Sequence, residues 1–199
     1  MTNERARELF AHKDGALMIC VGSWKAYNEC NDHSLGSYFE GSYYINFNEL
    51  EDGDELRDLL AFIGWSDEEM EETFIQDLDG VDPFCSGYDY ISAFAIIEAL
   101  VECCPNGRPE GEEWEKLEPI KEYTGESNFN DLLWMLDDYD YYPNTTGEEY
   151  EEQLIEDCYG DISEMMDSWL SGYISIDYEA IARDDDSIYE YNGGVLVVR

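Results

Sequence analysis

The sequence predicts an α+β protein laid out as an elongated chain of three small subdomains with a strongly acidic surface. Three observations carry that prediction. Segments of helix and strand period occur in a chain that is 44% hydrophobic and 15% aromatic, enough for a core. These segments fall into a mixed unit, a helical unit and a second mixed unit. Finally, 49 acids stand against 10 bases, a net charge of −39. Such self-repulsion opposes a compact body and is relieved by an elongated shape, a basic partner or bound cations.

Residues 1–15 read as a polar, helical leader, loosely attached, with three of the ten bases. The N-terminal α+β subdomain, 16–88, opens with a buried strand over Ala16 to Val21. Gly22 to Gly36 is loop-rich. Ser37 to Phe47 is rich in strand formers, with Gly41 marking a bend or bulge. Asp52 to Ile63 is a helix: Asp52 caps it, Leu56, Leu59, Leu60 and Ile63 recur on one face, and Gly64 closes it. Ser66 and Glu69 have capping-box spacing for a short acidic helix, and Thr73 to Gln76 follows as a strand.

The middle subdomain, 89–143, is helical. Tyr90 to Cys104 is apolar nearly all round and belongs at its centre. Glu110 to Tyr123 reads as a polar surface helix, and Asn128 to Leu136 as an amphipathic one burying Phe129, Leu132, Leu133 and Leu136. The C-terminal α+β subdomain, 144–199, has helices over Glu148 to Cys158 and Asp161 to Leu170 and a short strand over Tyr173 to Ile176. Ser187 to Tyr191 and Val195 to Val198 form a hairpin whose Gly194 implies a three-residue loop. The aromatic residues Tyr43, Tyr44 and Trp134 are expected in the core.

The charge is unevenly spread. No base lies between Arg57 and Arg108, against twelve acids, and none between Lys121 and Arg183, against seventeen. Internal salt bridges cannot neutralise those regions. Affinity for phosphate needs Lys and Arg, which excludes direct nucleic-acid binding and anionic membranes. The matching partner is a strongly basic surface or a set of cations. Duplex DNA carries one charge per ~1.7 Å, so a charge of −39 corresponds to roughly 66 Å, about two turns. A nucleic-acid look-alike is compatible with that arithmetic, as is a plain solvated or salt-adapted surface.

The six cysteines include no CxxC pair and no secretory signal precedes them, so reduced thiols in a cytoplasm are expected. No stretch reaches transmembrane length. Catalytic chemistry finds little support. His12 and His33 read as surface residues, zinc spacing and a GxSxG elbow are missing, and Gly36 to Ser42 lacks the lysine of a phosphate loop. Counted from Asp77, Gly falls at position four and Tyr at position twelve, unlike a calcium loop. Among 49 acids, carboxylate pairs arise by chance and point to no acid–base site. The expectation is a protein with no enzymatic activity, cofactor or metal.

Three segments, in order, resemble those of the ArdA antirestriction family. Val21-Gly22-Ser23-Trp24-Lys25-Ala26-Tyr27-Asn28 with Ser34 to Phe39 is similar to the family's opening. Phe74-Ile75-Gln76-Asp77-Leu78-Asp79-Gly80 looks like its central IQD stretch. Tyr173 to Asp184 is similar to its YIDYEA-x-ARD segment, which precedes a terminal hairpin. The resemblance implies a non-catalytic mimic of bent B-form DNA, made of three small domains and dimerising through the third. Such proteins bind the DNA groove of Type I restriction–modification enzymes, chiefly the methyltransferase core, and protect mobile-element DNA. The leader and apparent extra length near Cys104 to Gly125 and Tyr139 to Tyr150 depart from the pattern.

Mimicry needs carboxylates spaced like phosphates on a rigid frame. The candidates are Asp67, Glu68, Glu69, Glu71, Glu72, Asp77, Asp79 and Asp82; Asp131, Asp137, Asp138 and Asp140; and Glu148, Glu149, Glu151, Glu152, Glu156 and Asp157. A dimer interface carried over from the family would use Tyr173, Ile174, Ile176, Tyr178, Val195 and Val197. The alternative is an acidic decoy or chaperone for another basic DNA-binding protein.

Overall fold

Met18–Ser23 (β1) is buried along its whole length, and the first half of the chain is built around it. A computed structural model describes residues 1–79, 91–104, 108–160 and 175–199. Their contacts divide the chain into two units, Met1–Asp137 and Asp138–Arg199.

In the first unit β1 lies between Ile45–Asn46 (β2) and Thr73–Asp79 (β3), antiparallel to both. Gly22 pairs with Phe74, whose ring covers it: a Cβ at Gly22 would lie 2.4 Å from the ring tip. Trp24 stacks on the same ring, centroids 4.2 Å apart. Glycine at 22 is thus the condition for this aromatic pair.

Helix α1 (Asn3–Leu9) overturns the loosely attached leader. Ala6 and Leu9 are fully buried and Phe10 nearly so, an apolar edge at helical spacing that docks the segment. Trp24–Glu29 (α2) is a capped helix within the stretch expected to be loop. Gly53–Phe62 (α3) buries Leu56, Leu59 and Leu60 and is capped by Asp52 as expected. Asp67–Glu71 (α4) follows. Ala93–Cys103 (α5) buries Ala93, Ile96, Ile97, Ala99 and Leu100 against α3, β3 and the later Phe129–Trp134 (α7). Gly111–Lys116 forms a 3-10 turn that runs into Leu117–Thr124 (α6). The expected polar surface helix here is amphipathic instead, since Trp114, Leu117 and Ile120 are buried. Tyr43 and Trp134 correct the reading in the opposite sense: both are exposed.

In the second unit Tyr139–Tyr142 (β4), Ile188–Tyr191 (β5) and Gly194–Val198 (β6) form an antiparallel sheet in the order β4-β6-β5. Strand β4 pairs from Tyr139↔Val198 to Tyr142↔Val195. The segment read as the tail of the middle subdomain therefore belongs to the C-terminal sheet. The described contacts part the chain at 137/138, where the sequence suggested 143/144, and the expected 88/89 boundary lies outside the described residues. Gly147–Tyr159 (α8) packs on Tyr178–Asp184 (α9). Asn192 and Gly193, with φ of 47° and 78°, make the hairpin's two-residue turn, and Gly194 pairs with Tyr191 rather than extending the loop. Ser175 and Ile176 are not in a strand; Asp161 to Ile174 lies outside the described residues.

Candidate partner-binding surface

Helix α4 is set by a reciprocal capping box. Glu69 N donates to Ser66 Oγ, and Glu69 Oε2 accepts from Ser66 N (2.7 Å) and Oγ (2.8 Å). The other oxygen accepts from Asn31 Nδ2 (2.7 Å) and lies 3.0 Å from His33 Nδ1. His33 is itself stacked on Trp65, so it is a structural residue and not the surface one expected. Burial raises the Glu69 carboxyl, but the bonds from Ser66, His33 and Asn31 outweigh it and bring it down to about 2. Glu69 is 5% exposed and serves the fold, which removes it from an outward-facing array.

Asp67, Glu68, Glu71 and Glu72 point to solvent. Glu68 accepts from Lys25 Nζ (2.6 Å), a bond that holds its carboxyl below the usual range.

On β3, period-two alternation starting from buried Thr73 and Ile75 would turn Asp77 and Asp79 inward. A bulge opposite Cys20 and Val21 inserts Gln76 and reverses the sides. Asp77 and Asp79 are exposed as a result. Asp77 accepts from the Tyr44 hydroxyl, which pushes that phenol up to about 12. Asp79 Oδ2 lies 3.3 Å from His12 Nε2. Asp82 lies outside the described residues.

In the next group, Asp131 is exposed in the first turn of α7, and Asp137 and Asp138 are exposed after it. Asp140 is half-buried on β4 and bound through both oxygens by Arg199 (2.6 and 2.5 Å).

Thr146 and Glu149 cap α8 by the same reciprocal box that opens α4. Glu148, Glu149, Glu152, Glu156 and Asp157 are exposed. Glu151 is a correction: it is 3% exposed, with Oε1 buried and unpartnered, and faces Asp185. Burial first, then the contact with Asp185, pushes the Glu151 carboxyl up, while bonds from Ser187 Oγ (2.7 Å) and N (2.8 Å) hold Asp185 down.

The named interface residues fare unevenly. Strand β6 is the middle of its sheet, and Val195 and Val197 are buried within their own chain. Ile176 and Tyr178 are half-buried, and Tyr173 and Ile174 lie outside the described residues.

Sequence reasoning missed the groove along α8 where Tyr142 and Tyr150 meet, ring centres 5.1 Å apart. The tyrosines were legible; their meeting required the pairing of β4. Among the described residues no cluster of three or more His, Cys, Asp or Glu could hold a metal, and no helix is long and apolar enough to cross a membrane. What capped helices and a bulged strand hold outward is charge, able to attract and desolvate cationic groups.

Residues 19–197 match the family model described as Antirestriction protein (ArdA). No curated protein matches the chain.

Proposed function

Since the chain belongs to the ArdA antirestriction family, whose members are inhibitors rather than enzymes, we propose that it stands in for B-form DNA. In this reading it occupies the DNA-binding groove of a Type I restriction–modification enzyme, chiefly the methyltransferase core, and so protects mobile-element DNA.

The supporting observation is the outer face of α8. Glu148, Glu149, Glu152 and Glu156 are all exposed. At 3.6 residues per turn they fall within an arc of about 100° and along about 12 Å of axis. That is one charge per ~4 Å, against ~3.4 Å along one strand of a duplex. Within the first unit, the exposed acids of α4 and β3 are held outward in the same way. Caps and strand pairing fix these carboxylates before binding, which lowers the ordering cost. Binding would be steered electrostatically and weakened by salt.

The protein would act in a reducing cytoplasm, in keeping with free Cys20, Cys30, Cys103, Cys104 and Cys158. It would bind neither nucleic acid nor membrane directly. It would work as a homodimer through its C-terminal unit, where Ile176 and Tyr178 are half-buried.

The test is a competition. A labelled duplex carrying its recognition site is bound to a Type I methyltransferase, and the protein is titrated in at fixed salt. Displacement near one dimer per enzyme, weakening as salt rises, is expected. No displacement at large excess would overturn the reading and favour a decoy or chaperone for another basic DNA-binding protein.

A further inference from the structure

Among the described residues, two grooves combine an aromatic wall with carboxylates, and one of the two contains a cation. In the first unit a groove of about 400 Å³ runs between α3 and α5. Arg57 lies in it, its guanidinium 5.2 Å from the centre of the Phe94 ring, with Asp54, Glu98 and Glu102 around it. In the second unit a groove of about 530 Å³ runs between the end of β4 and α8. Its wall is the Tyr142–Tyr150 pair with Leu154, and its rim carries Glu149, Glu152 and Glu156.

None of the residues lining this second groove is basic. The sequence has no Lys or Arg between Lys121 and Arg183 to supply one. Tyr142 and Leu154 are each 40% exposed, a large apolar surface for a segment so acidic.

We propose that the Tyr142–Tyr150 groove is a receptor for an arginine side chain of the basic partner. This rests on the reading that the partner is a basic DNA-binding surface. The first groove shows the aromatic half of this chemistry with the chain's own arginine: a guanidinium over a ring face, in a groove lined by carboxylates. Arginine suits the second groove better than lysine, because its flat and weakly hydrated head stacks on an aromatic ring while its edge still donates to carboxylates. A phosphate mimic made only of carboxylates would not distinguish the two cations. The groove adds a preference that charge alone cannot give, and a contact that remains when salt has screened the outer carboxylates.

The experiment uses the full chain and single-residue probes. N-acetyl-arginine methylamide and its lysine counterpart are titrated while ring-proton signals are followed by NMR, those of Tyr142 and Tyr150 in the parent chain and that of Tyr150 in Tyr142→Leu. The expected result is that the arginine probe shifts both rings and binds about two- to five-fold tighter than the lysine probe. Tyr142→Leu should abolish that preference, lowering the arginine affinity more than the lysine affinity. Equal binding of the two probes, shifts scattered over the whole acidic surface, or a preference that survives Tyr142→Leu would overturn the proposal. Because Tyr142 is partly exposed, a far-ultraviolet spectrum of the variant matching the parent excludes loss of folding; where it does not match, Glu152→Gln replaces it and should weaken the arginine probe more than the lysine one. Displacement of duplex from a Type I methyltransferase is measured separately. Its absence in the parent chain would remove the restriction enzyme as partner and leave the arginine preference standing or falling by the NMR result.

Discussion

The two units handle the same surplus of negative charge in different ways. The first, Met1–Asp137, has eight bases for 32 acids, and the second, Asp138–Arg199, has two for 17. In the first, cations tie together segments distant in sequence: Arg5 binds Glu55, Arg7 binds Glu40, and Lys13 binds Glu110. In the second, carboxylates take over as acceptors. Glu190 Oε1 accepts from Gly147 N (2.7 Å) at the start of α8, and Asp185 accepts from Ser187. The contrast teaches that a scarce base is placed where it fastens the fold, and that where bases run out, backbone and hydroxyl donors hold the acids instead. Some of the carboxylates so used, Glu40, Glu110 and Glu190 among them, remain exposed and add to the outward charge.

The largest effect should come from the first unit's most heavily used cation. Arg108 is half-buried and donates to four carbonyls on one loop, those of Phe47 (2.8 Å), Asn48 (3.1 Å), Leu50 and Glu51 (3.2 Å). Burial lowers its pKa, yet the guanidinium stays charged. Arg108→Ala should cost at least ~3 kcal/mol, since it strands several acceptors at once. Hydrogen exchange should show protection lost in β1 to β3 and kept in β4 to β6. Equal loss in both sheets would mean that the units do not divide their stabilising contacts in this way.

Glu69 sharpens the comparison through pH. Its folded carboxyl, at about 2, lies below the ordinary 4.5. A depressed group stabilises the fold above its unfolded value and loses that contribution as pH falls toward the folded one. The window is therefore from about 4.5 down to about 2, and the contribution at neutral pH is ~3 kcal/mol. Glu69→Gln should remove about 2 kcal/mol at pH 7, because an amide presents a donor where two donors already point. The variant should also flatten the acid slope of stability for the first unit. A slope unchanged by the substitution would place the acid-sensitive group elsewhere.

These two residues also show how far the sequence could be read. The Ser66–Glu69 spacing announced a capping box, and the box is there, but spacing along a helix does not reveal that Asn31 and His33 close over the same carboxylate. Likewise Leu56, Leu59 and Leu60 announced their helix, because helical period is local. The docking of α1 was hidden because three apolar positions among charges look like a solvated helix until a surface is there to receive them. Strand β4 was hidden because Asp137 to Tyr142 has no apolar period, and its partner lies more than fifty residues later. The bulge that turns Asp77 and Asp79 outward leaves no mark in the sequence, since it is a property of the pairing with β1. Local chemistry was legible, and register was not.

The smallest effect belongs to the second unit and should run in the opposite direction. Glu151 has the raised carboxyl, driven by burial and by Asp185. A raised acid contributes its stability below the unfolded value of 4.5 and loses it as pH climbs through the folded one, so ionised Glu151 works against the fold at neutral pH. Glu151→Gln keeps a donor for Asp185 and has nothing to ionise. It should stabilise the second unit at pH 7 by roughly the worth of one hydrogen bond, ~1 kcal/mol. The gain should shrink as pH falls toward and below the ordinary 4.5. Asp185 keeps its own opposite dependence through Ser187, so the comparison must be made between variant and parent at each pH and not along either curve alone. A loss of stability at pH 7 would mean that the charged form of Glu151 is supported after all. The second unit would then hold its buried acid as the first holds Glu69, and the difference between them would reduce to the number of bases.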